Sequence, residues 1–383
     1  MDKKVRFGII GFGNMGTAHA GFFADNKVKN GTLTAICDIN PDKCDKFRKE
    51  YAQKFDHEVK VFGNADDMLA SGLCDVAMVE IPHYGHPEMA IKALKAGLHV
   101  IVEKPAGVYT KQVEEMLAYA KTTDRVLGIM FNQRTNPAFI KMRELVRSGA
   151  IGTVKRTNWI ITNWYRSQAY YDSGDWRATW KGEGGGVLYN QAPHQLDLFQ
   201  WIVGMMPTSV RAFCHFGKWH HIEVEDDVTA YVEYPNGATG VFITCTADAP
   251  GTNRFEITGS KGTLIYEPKK LTVKLLEEDE REFCFTTKEG FPFFNTKEEV
   301  FTYEDEGPQH VGILNNVADT ILGKATLFAP AEEGIRGVTL ANAMHLSTWL
   351  DKTVTLPLDG DLFYKELQKR IGESDEKKKH ETK

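Results

Sequence analysis

Val5-Arg6-Phe7-Gly8-Ile9-Ile10 runs straight into Gly11-Phe12-Gly13-Asn14-Met15-Gly16. The first run is apolar and of strand length, and the second fits Gly-x-Gly-x-x-Gly at the opening of a helix over residues 15–24. Each glycine has its own physical reason. Gly11 permits a tight turn, Gly13 lets the main chain approach a pyrophosphate, and Gly16 lets the helix lie close on the strand. The helix start offers unbonded N–H groups and a partial positive charge, to which Phe12, Asn14 and Met15 contribute as members of the turn. A second apolar run, residues 32–37, ends on Asp38, a carboxylate placed to accept ribose hydroxyls and to repel a 2′-phosphate. The stretch predicts an NAD site, with NADP less favoured and Lys43 moderating that preference.

Outward from this turn, strands and helices alternate. Apolar runs at residues 59–62, 76–81, 99–102 and 126–131 are separated by helical patterns at 87–96 and from Thr110 onward, and Pro41 opens another helix. Alternation of this kind means parallel strands with right-handed crossovers, and runs such as Val76-Ala77-Met78-Val79 are apolar on both faces. Residues 1–130 are expected to form an α/β Rossmann domain with a doubly wound parallel sheet. Beyond about residue 150 the pattern changes to period two, at residues 153–163, 210–216, 228–233, 240–245, 255–258, 262–265 and 271–276. Residues 131–370 are expected to form a second domain, an antiparallel sheet with one wet face. One helix over residues 188–203 interrupts it. Helices near 311–322 and 331–350 are expected, either within this domain or packed back on the first. Residues 374–383 are almost all polar or charged and read as a disordered tail.

Composition narrows the function. A net charge of −6 argues against nucleic acid and anionic membranes, which need clustered Lys and Arg. No stretch reaches the roughly 20 apolar residues of a membrane span, and the first apolar run is too short for a secretory signal, so a cytoplasmic protein is expected. The cysteines at 37, 44, 74, 214, 245 and 284 form no C-x-x-C pair, and His215, His220 and His221 have no carboxylate at ligand spacing. No metal is expected.

Glu103-Lys104-Pro105 follows the fifth strand at the carboxyl edge of the sheet, where open α/β sheets bind ligands. From position alone Lys104 reads equally as a solvated strand-end residue or as a group that polarises a carbonyl. Trp164-Tyr165-Arg166, Tyr170-Tyr171 and Trp176-Arg177 form an aromatic and basic stretch suited either to pyranose C–H faces and hydroxyls or to filling space between domains.

The glycine fingerprint, Asp38, Glu103-Lys104-Pro105, Trp176-Arg177 and the segment Gly184-Gly185-Gly186-Val187-Leu188-Tyr189-Asn190-Gln191-Ala192-Pro193-His194-Gln195-Leu196-Asp197 together resemble the Gfo/Idh/MocA family, from residue 5 to about residue 370. The resemblance implies that residues 131–370 form an α+β domain with a large open, mostly antiparallel sheet for substrate binding and oligomerisation, and it implies catalytic roles for Lys104 and His194. The family often has an Asp where this chain has Asn190 and a Gly where it has Ala192, so Asn190 is read as orienting a hydroxyl or Lys104, and His194 as the main acid–base group. Asn190 and His194 are expected on one face of one helix, with Asp197 bracing the imidazole or capping a neighbour. Trp176-Arg177 and Glu103 are implied near the nicotinamide, as are Pro82, His83 and His86 after the fourth strand and Asn132 and Arg134 after the sixth. Lys104, Tyr165, Arg166, Trp176, Arg177, Asn190, His194 and, more weakly, His310 are the implied substrate contacts. The implied activity is NAD(H)-dependent interconversion of a secondary alcohol and a ketone on a sugar, cyclitol or glycoside, by a homodimer or homotetramer. Two alternatives use the same fold: a glycosidase acting by transient oxidation at the sugar C3, and a dinucleotide-binding sensor or scaffold without turnover.

Overall fold

The computed structural model describes residues 4–381, with side chains through residue 374. It divides into two compact units: the stretch ending at Asn132 together with Pro308–Val338, and Gln133–Gly307 together with the stretch from Thr339 onward. Residues 308–338, which the sequence pattern leaves between the two domains, thus group with the first. Ile313, Leu314 and Val317 explain it, because all three are buried in the first unit's core.

In the first unit β1 (Val5–Ile10), β2 (Gly31–Cys37), β3 (Lys60–Phe62), β4 (Val76–Val79), β5 (His99–Val102) and β6 (Leu127–Ile129) make one sheet in the order β3-β2-β1-β4-β5-β6. Every pairing is parallel. All four residues of β4 are buried, as an unbroken apolar run requires between two helical layers. The strand order reverses between β1 and β4, which opens a crevice beyond their carboxyl ends. The helix Pro41–Glu50 begins as its sequence predicts, with Pro41 in the first turn and the Asn40 side chain accepting from Asp42 N–H.

In the second unit nine strands make one open sheet: β7 (Val154–Ile161), β8 (Ser209–Phe216), β9 (Glu225–Glu233), β10 (Thr239–Cys245), β11 (Asn253–Gly259), β12 (Gly262–Glu267), β13 (Lys270–Leu276), β14 (Thr296–Thr302) and β15 (Val354–Thr355). The order is β14-β13-β12-β11-β7-β10-β9-β8-β15. Only β7 and β10 pair in parallel. Val228, Ala230 and Val232 of β9 are buried while Thr229, Tyr231 and Glu233 between them are exposed, so one face is core and the other open. On the core face Trp159 stacks on Phe255 with centroids 4.2 Å apart.

Two expectations are corrected. The single helix over residues 188–203 is two, Val187–Asn190 and Pro193–Trp201, with Asn190 ending the first and His194 in the opening turn of the second. Pro193 is the cause: it has no N–H to donate, and its ring would clash with the carbonyl four residues back. Asn190 and His194 therefore do not share a helix face. Residues 374–381, expected as a tail, continue the helix Gly360–Glu381; residues 382–383 lie outside the described residues. Glu and Lys are good helix formers, and the same helix carries the i,i+4 pairs Glu366–Arg370 and Lys369–Glu373. Among the described residues no helix is long and apolar enough to cross a membrane.

Candidate active site

The glycine turn behaves as its spacing predicts. Gly11 has φ +104°, and a Cβ there would fall 2.2 Å from the Glu80 carbonyl oxygen. A Cβ on Gly16 would fall 2.1 Å from the Gly11 carbonyl oxygen, so only hydrogen fits between helix and strand end. A Cβ on Gly13 would meet nothing within 4 Å. No packing contact requires that glycine, so its place in the turn leaves the main chain open to a ligand. The helix Asn14–Ala24 has no side-chain cap, so its first N–H groups remain available to phosphate oxygens. Phe12 donates its N–H to Asp38 Oδ2 at 2.8 Å, and Asn40 N–H donates to Oδ1 at 2.8 Å. These bonds hold the buried carboxylate in one orientation, with Lys43 Nζ 3.5 Å from it. The Phe12 ring itself packs on Phe47 and Tyr51, so its contribution to the turn is main-chain. Open cradle, uncapped helix and fixed carboxylate fit a dinucleotide.

The loops at the sheet edge are tied to one another. His86, expected at the cofactor, turns one ring nitrogen to the Pro105 carbonyl and the other to the Ile81 carbonyl, each at 2.7 Å. Burial works to hold its pKa below the usual value and so favours the neutral ring, whose single N–H can bond only one of these carbonyls while the ring packs between the loops after β4 and β5. His83 is buried with its ring 5.8 Å from that of His86, and Pro82 precedes the short turn His83–Gly85. Asn132 Nδ2 donates to Gln309 Oε1 at 2.8 Å. Lys104 is half-buried, and its N–H donates to Glu103 Oε2 at 3.1 Å.

Beneath Lys104 lies a buried polar cluster. His19 Nδ1 is 2.7 Å from Glu80 Oε1, and His19 Nε2 is 3.8 Å from Glu103 Oε1. Burial, helped by Glu80, pushes the Glu103 pKa up to about 7 against the opposing pull of His19 and Lys104. Burial works to lower His19, but the charges of Glu80 and Glu103 overcome it and raise its pKa. His310, expected at the substrate, belongs to this cluster, with its ring 5.2 Å from that of His19. Burial first, then His19 and Lys104, push it down to about 3. His19, Glu103 and His310 bring ligand atoms within 4.8 Å of one another, the dimensions of a metal cage. Lys104 adds a positive charge felt by both Glu103 and His310.

The second unit carries the remaining candidates. Arg177 Nη1 donates to Tyr170 Oη at 3.0 Å, and Tyr170 O–H donates to Asn190 Oδ1 at 3.0 Å. Gln191 Nε2 donates to the same Asn190 oxygen at 3.2 Å. Asn190 Nδ2 donates to Glu183 Oε1, whose other oxygen accepts the Ala178 N–H at 2.7 Å. The Arg177 guanidinium lies 4.7 Å from the ring centroids of both Tyr170 and Trp176, and Arg166 lies 5.1 Å over Tyr170. Tyr165 is exposed. His194 is buried at the start of its helix. Both Asp197 oxygens take Arg134, at 2.7 and 2.6 Å, in a fully buried pair. His220 Nδ1 lies 3.0 Å from Asp226 and Nε2 2.9 Å from the Arg166 carbonyl, so this histidine fastens a hairpin.

Two carboxylates escaped the sequence reading. Glu225 Oε1 accepts the N–H groups of Gly186 and Leu188 at 2.9 and 3.0 Å, and its other oxygen lies 2.8 Å from His345 Nε2 without hydrogen-bond alignment. Glu183 stands directly before the glycine run, a position that could have marked it. Nothing local marks Glu225, which meets that run only through the fold.

A parallel sheet with this reversal, an uncapped glycine turn and a fixed ribose-type carboxylate define a dinucleotide-binding oxidoreductase with a second, open-sheet domain. Residues 5–131 match the family model described as "Oxidoreductase family, NAD-binding Rossmann fold", and residues 139–265 match the "GFO/IDH/MocA C-terminal domain". The chain belongs to the Gfo/Idh/MocA family of oxidoreductases, and its cofactor is NAD. It is 26% identical to myo-inositol 2-dehydrogenase of Thermotoga maritima over 72% of this chain and 79% of that one. It is 26% identical to levoglucosan dehydrogenase of Pseudarthrobacter phenanthrenivorans over 69% and 74% of the two chains. The crystal structure of the WlbA dehydrogenase from Bordetella pertussis with NADH and UDP-GlcNAcA superposes with a TM-score of 0.77 at 25% identity, covering 93% of this chain and all of that one.

Proposed function

We propose that the protein interconverts a secondary alcohol and a ketone on a sugar, cyclitol or glycoside. The observation that carries this reading is the linked set Arg177, Tyr170, Asn190 and Glu183, half-buried to buried and next in sequence to His194. Guanidinium, phenol, amide and carboxylate bonded to one another make a surface that recognises hydroxyl groups rather than apolar rings. The sugar- and inositol-directed names of the relatives support it.

In this reading His194 takes the hydroxyl proton and Lys104 steadies the oxygen as its charge grows. Bound NAD supplies the redox chemistry, accepting two electrons and a hydrogen nucleus from the carbinol carbon. Asp38 and the glycine turn hold the dinucleotide, while Trp176, Arg177 and Asn190 orient the alcohol. The open sheet face exposes Ile160, Phe213, Tyr231 and Val300, which supports association of copies through that face.

The test is a screen of sugars, inositols and aryl glycosides with NAD, following absorbance of the reduced cofactor. Lys104→Ala and His194→Ala are expected to lower kcat by about 1,000-fold each on the substrate found. No turnover across the screen, or turnover unchanged in both variants, refutes the proposal.

A further inference from the structure

Asn190 is an amide, and an amide has a weakness a carboxylate lacks. It has a donor end and an acceptor end, and turning it over reverses every bond it makes. Something must therefore decide which end faces which neighbour. Glu183 is 2% exposed and acceptor-only when ionised, so the Asn190 end that faces it has to be the NH₂. The oxygen end then falls to Tyr170 O–H and Gln191 Nε2. Polarity runs in one direction, from the Arg177 cation through the phenol and amide to the carboxylate.

The other Glu183 oxygen reaches the main chain of the Arg177 loop. It accepts from Ala178 N–H, and Ala178 has φ +50°, a left-handed conformation that a non-glycine residue keeps only when held. One carboxylate thus fixes the amide of Asn190 and the backbone just past Arg177. Burial raises its pKa, and the bonds from Ala178 and Asn190 oppose that rise.

We propose that Glu183 is a positioning residue: from seven positions earlier in the chain it supplies the carboxylate that fixes the Asn190 amide, and thereby sets which face of that amide is presented to substrate. The inference rests on the proposed alcohol oxidation for its catalytic consequence, though not for its bonding pattern.

A swap tests it. Glu183→Gln alone places two NH₂ groups face to face unless Asn190 turns over. Asn190→Asp alone places two carboxylates face to face. The double variant E183Q/N190D restores the bond between the two positions with reversed polarity and leaves their bonds to Ala178 and Tyr170 in the original direction. The amide introduced at position 183 would accept from Ala178 N–H and donate to the carboxylate introduced at position 190, while Tyr170 still donates. With a substrate from the screen, each single variant is expected to lose about 30-fold in kcat with KM for NAD nearly unchanged, and the double variant to regain at least about 10-fold over the weaker single. Thermal midpoints are expected to follow the same non-additive order. Additive losses in kcat, or E183Q equal to wild type, overturn the proposal, as does recovery of the melting temperature without recovery of kcat. Should wild type turn over no substrate, the proposed function fails by itself, and the melting cycle still decides the pairing: additivity there overturns it and non-additivity sustains it.

Discussion

The glycine turn of residues 11–16 and the polar chain from Arg177 to Glu183 both prepare a place for a polar ligand, and they do it with opposite materials. In the turn the work is done by main-chain N–H groups and by the absence of side chains; Gly13 has open space where a Cβ would stand. In the polar chain it is done by side chains bonded to one another, each fixed by the next. The first arrangement tolerates change in its neighbours and fails when an atom is added. The second tolerates small volume changes and fails when a donor meets a donor.

The largest effect outside the reacting groups is expected where the side-chain construction is most buried. Arg134→Met leaves Asp197 charged in a fully buried position without the guanidinium that matches it, and should cost about 3–5 kcal/mol in urea unfolding. A loss under about 1 kcal/mol would show that the second unit is less dependent on paired charge than the comparison holds.

The next contrast lies within the turn. Gly13→Val should leave stability nearly unchanged and weaken NAD binding by about 100-fold, measured by calorimetry, because only the ligand needs that space. Gly11→Val should instead unfold the turn, since its Cβ would strike the Glu80 carbonyl. Equal effects from both would remove the distinction between a glycine kept for the ligand and one kept for the chain.

A smaller effect is expected at Asp38. Asp38→Asn keeps an acceptor for the Phe12 N–H but removes the charge, leaving Lys43 beside the ribose position. The preference for NAD over NADP should fall by about 10-fold in the ratio of kcat/KM values. An unchanged ratio would assign cofactor choice elsewhere.

The smallest is a matter of pH. Folded, Glu103 keeps its proton to about pH 7, whereas the unfolded chain releases it near the ordinary value of 4.5. Its contribution to stability is therefore full below pH 4.5 and is lost as pH rises to about 7, and the raised His19 pKa adds a loss of the same sign above 6.5. Glu103→Gln should flatten the decline of the unfolding free energy between these limits. Parallel curves for the two proteins would mean that the cluster under Lys104 does not exchange its proton on folding.

How far the site could be read from the chain follows the same division. The turn was legible because its parts are adjacent and its chemistry is that of the backbone: strand, glycines, helix and Asp38 come in order. The parallel sheet was legible for a related reason, since runs such as Val76-Ala77-Met78-Val79 carry no polar face. Apolar periodicity predicts one helix over residues 188–203, yet the missing N–H at Pro193 outweighs it and divides the segment. His86 and His310 stand in the chain where ligand contacts are expected, and the fold places one facing two carbonyls and the other beside a buried imidazole, partners the chain order does not show. Asp197 is the same case, bound to a partner 63 positions away.

The amino-acid sequence by itself determined the doubly wound first unit, the open second sheet and the presence of a dinucleotide turn, because these depend on local periodicity and on residues near one another in the chain. Only the tertiary structure decided that Glu183 faces Asn190, that Glu225 holds the glycine run, that Asp197 belongs to Arg134, and that Glu103 shares its burial with His19 and His310. The reason is physical: a buried polar group must be satisfied by whatever the fold brings within about 3 Å, and that distance bears no relation to separation along the chain.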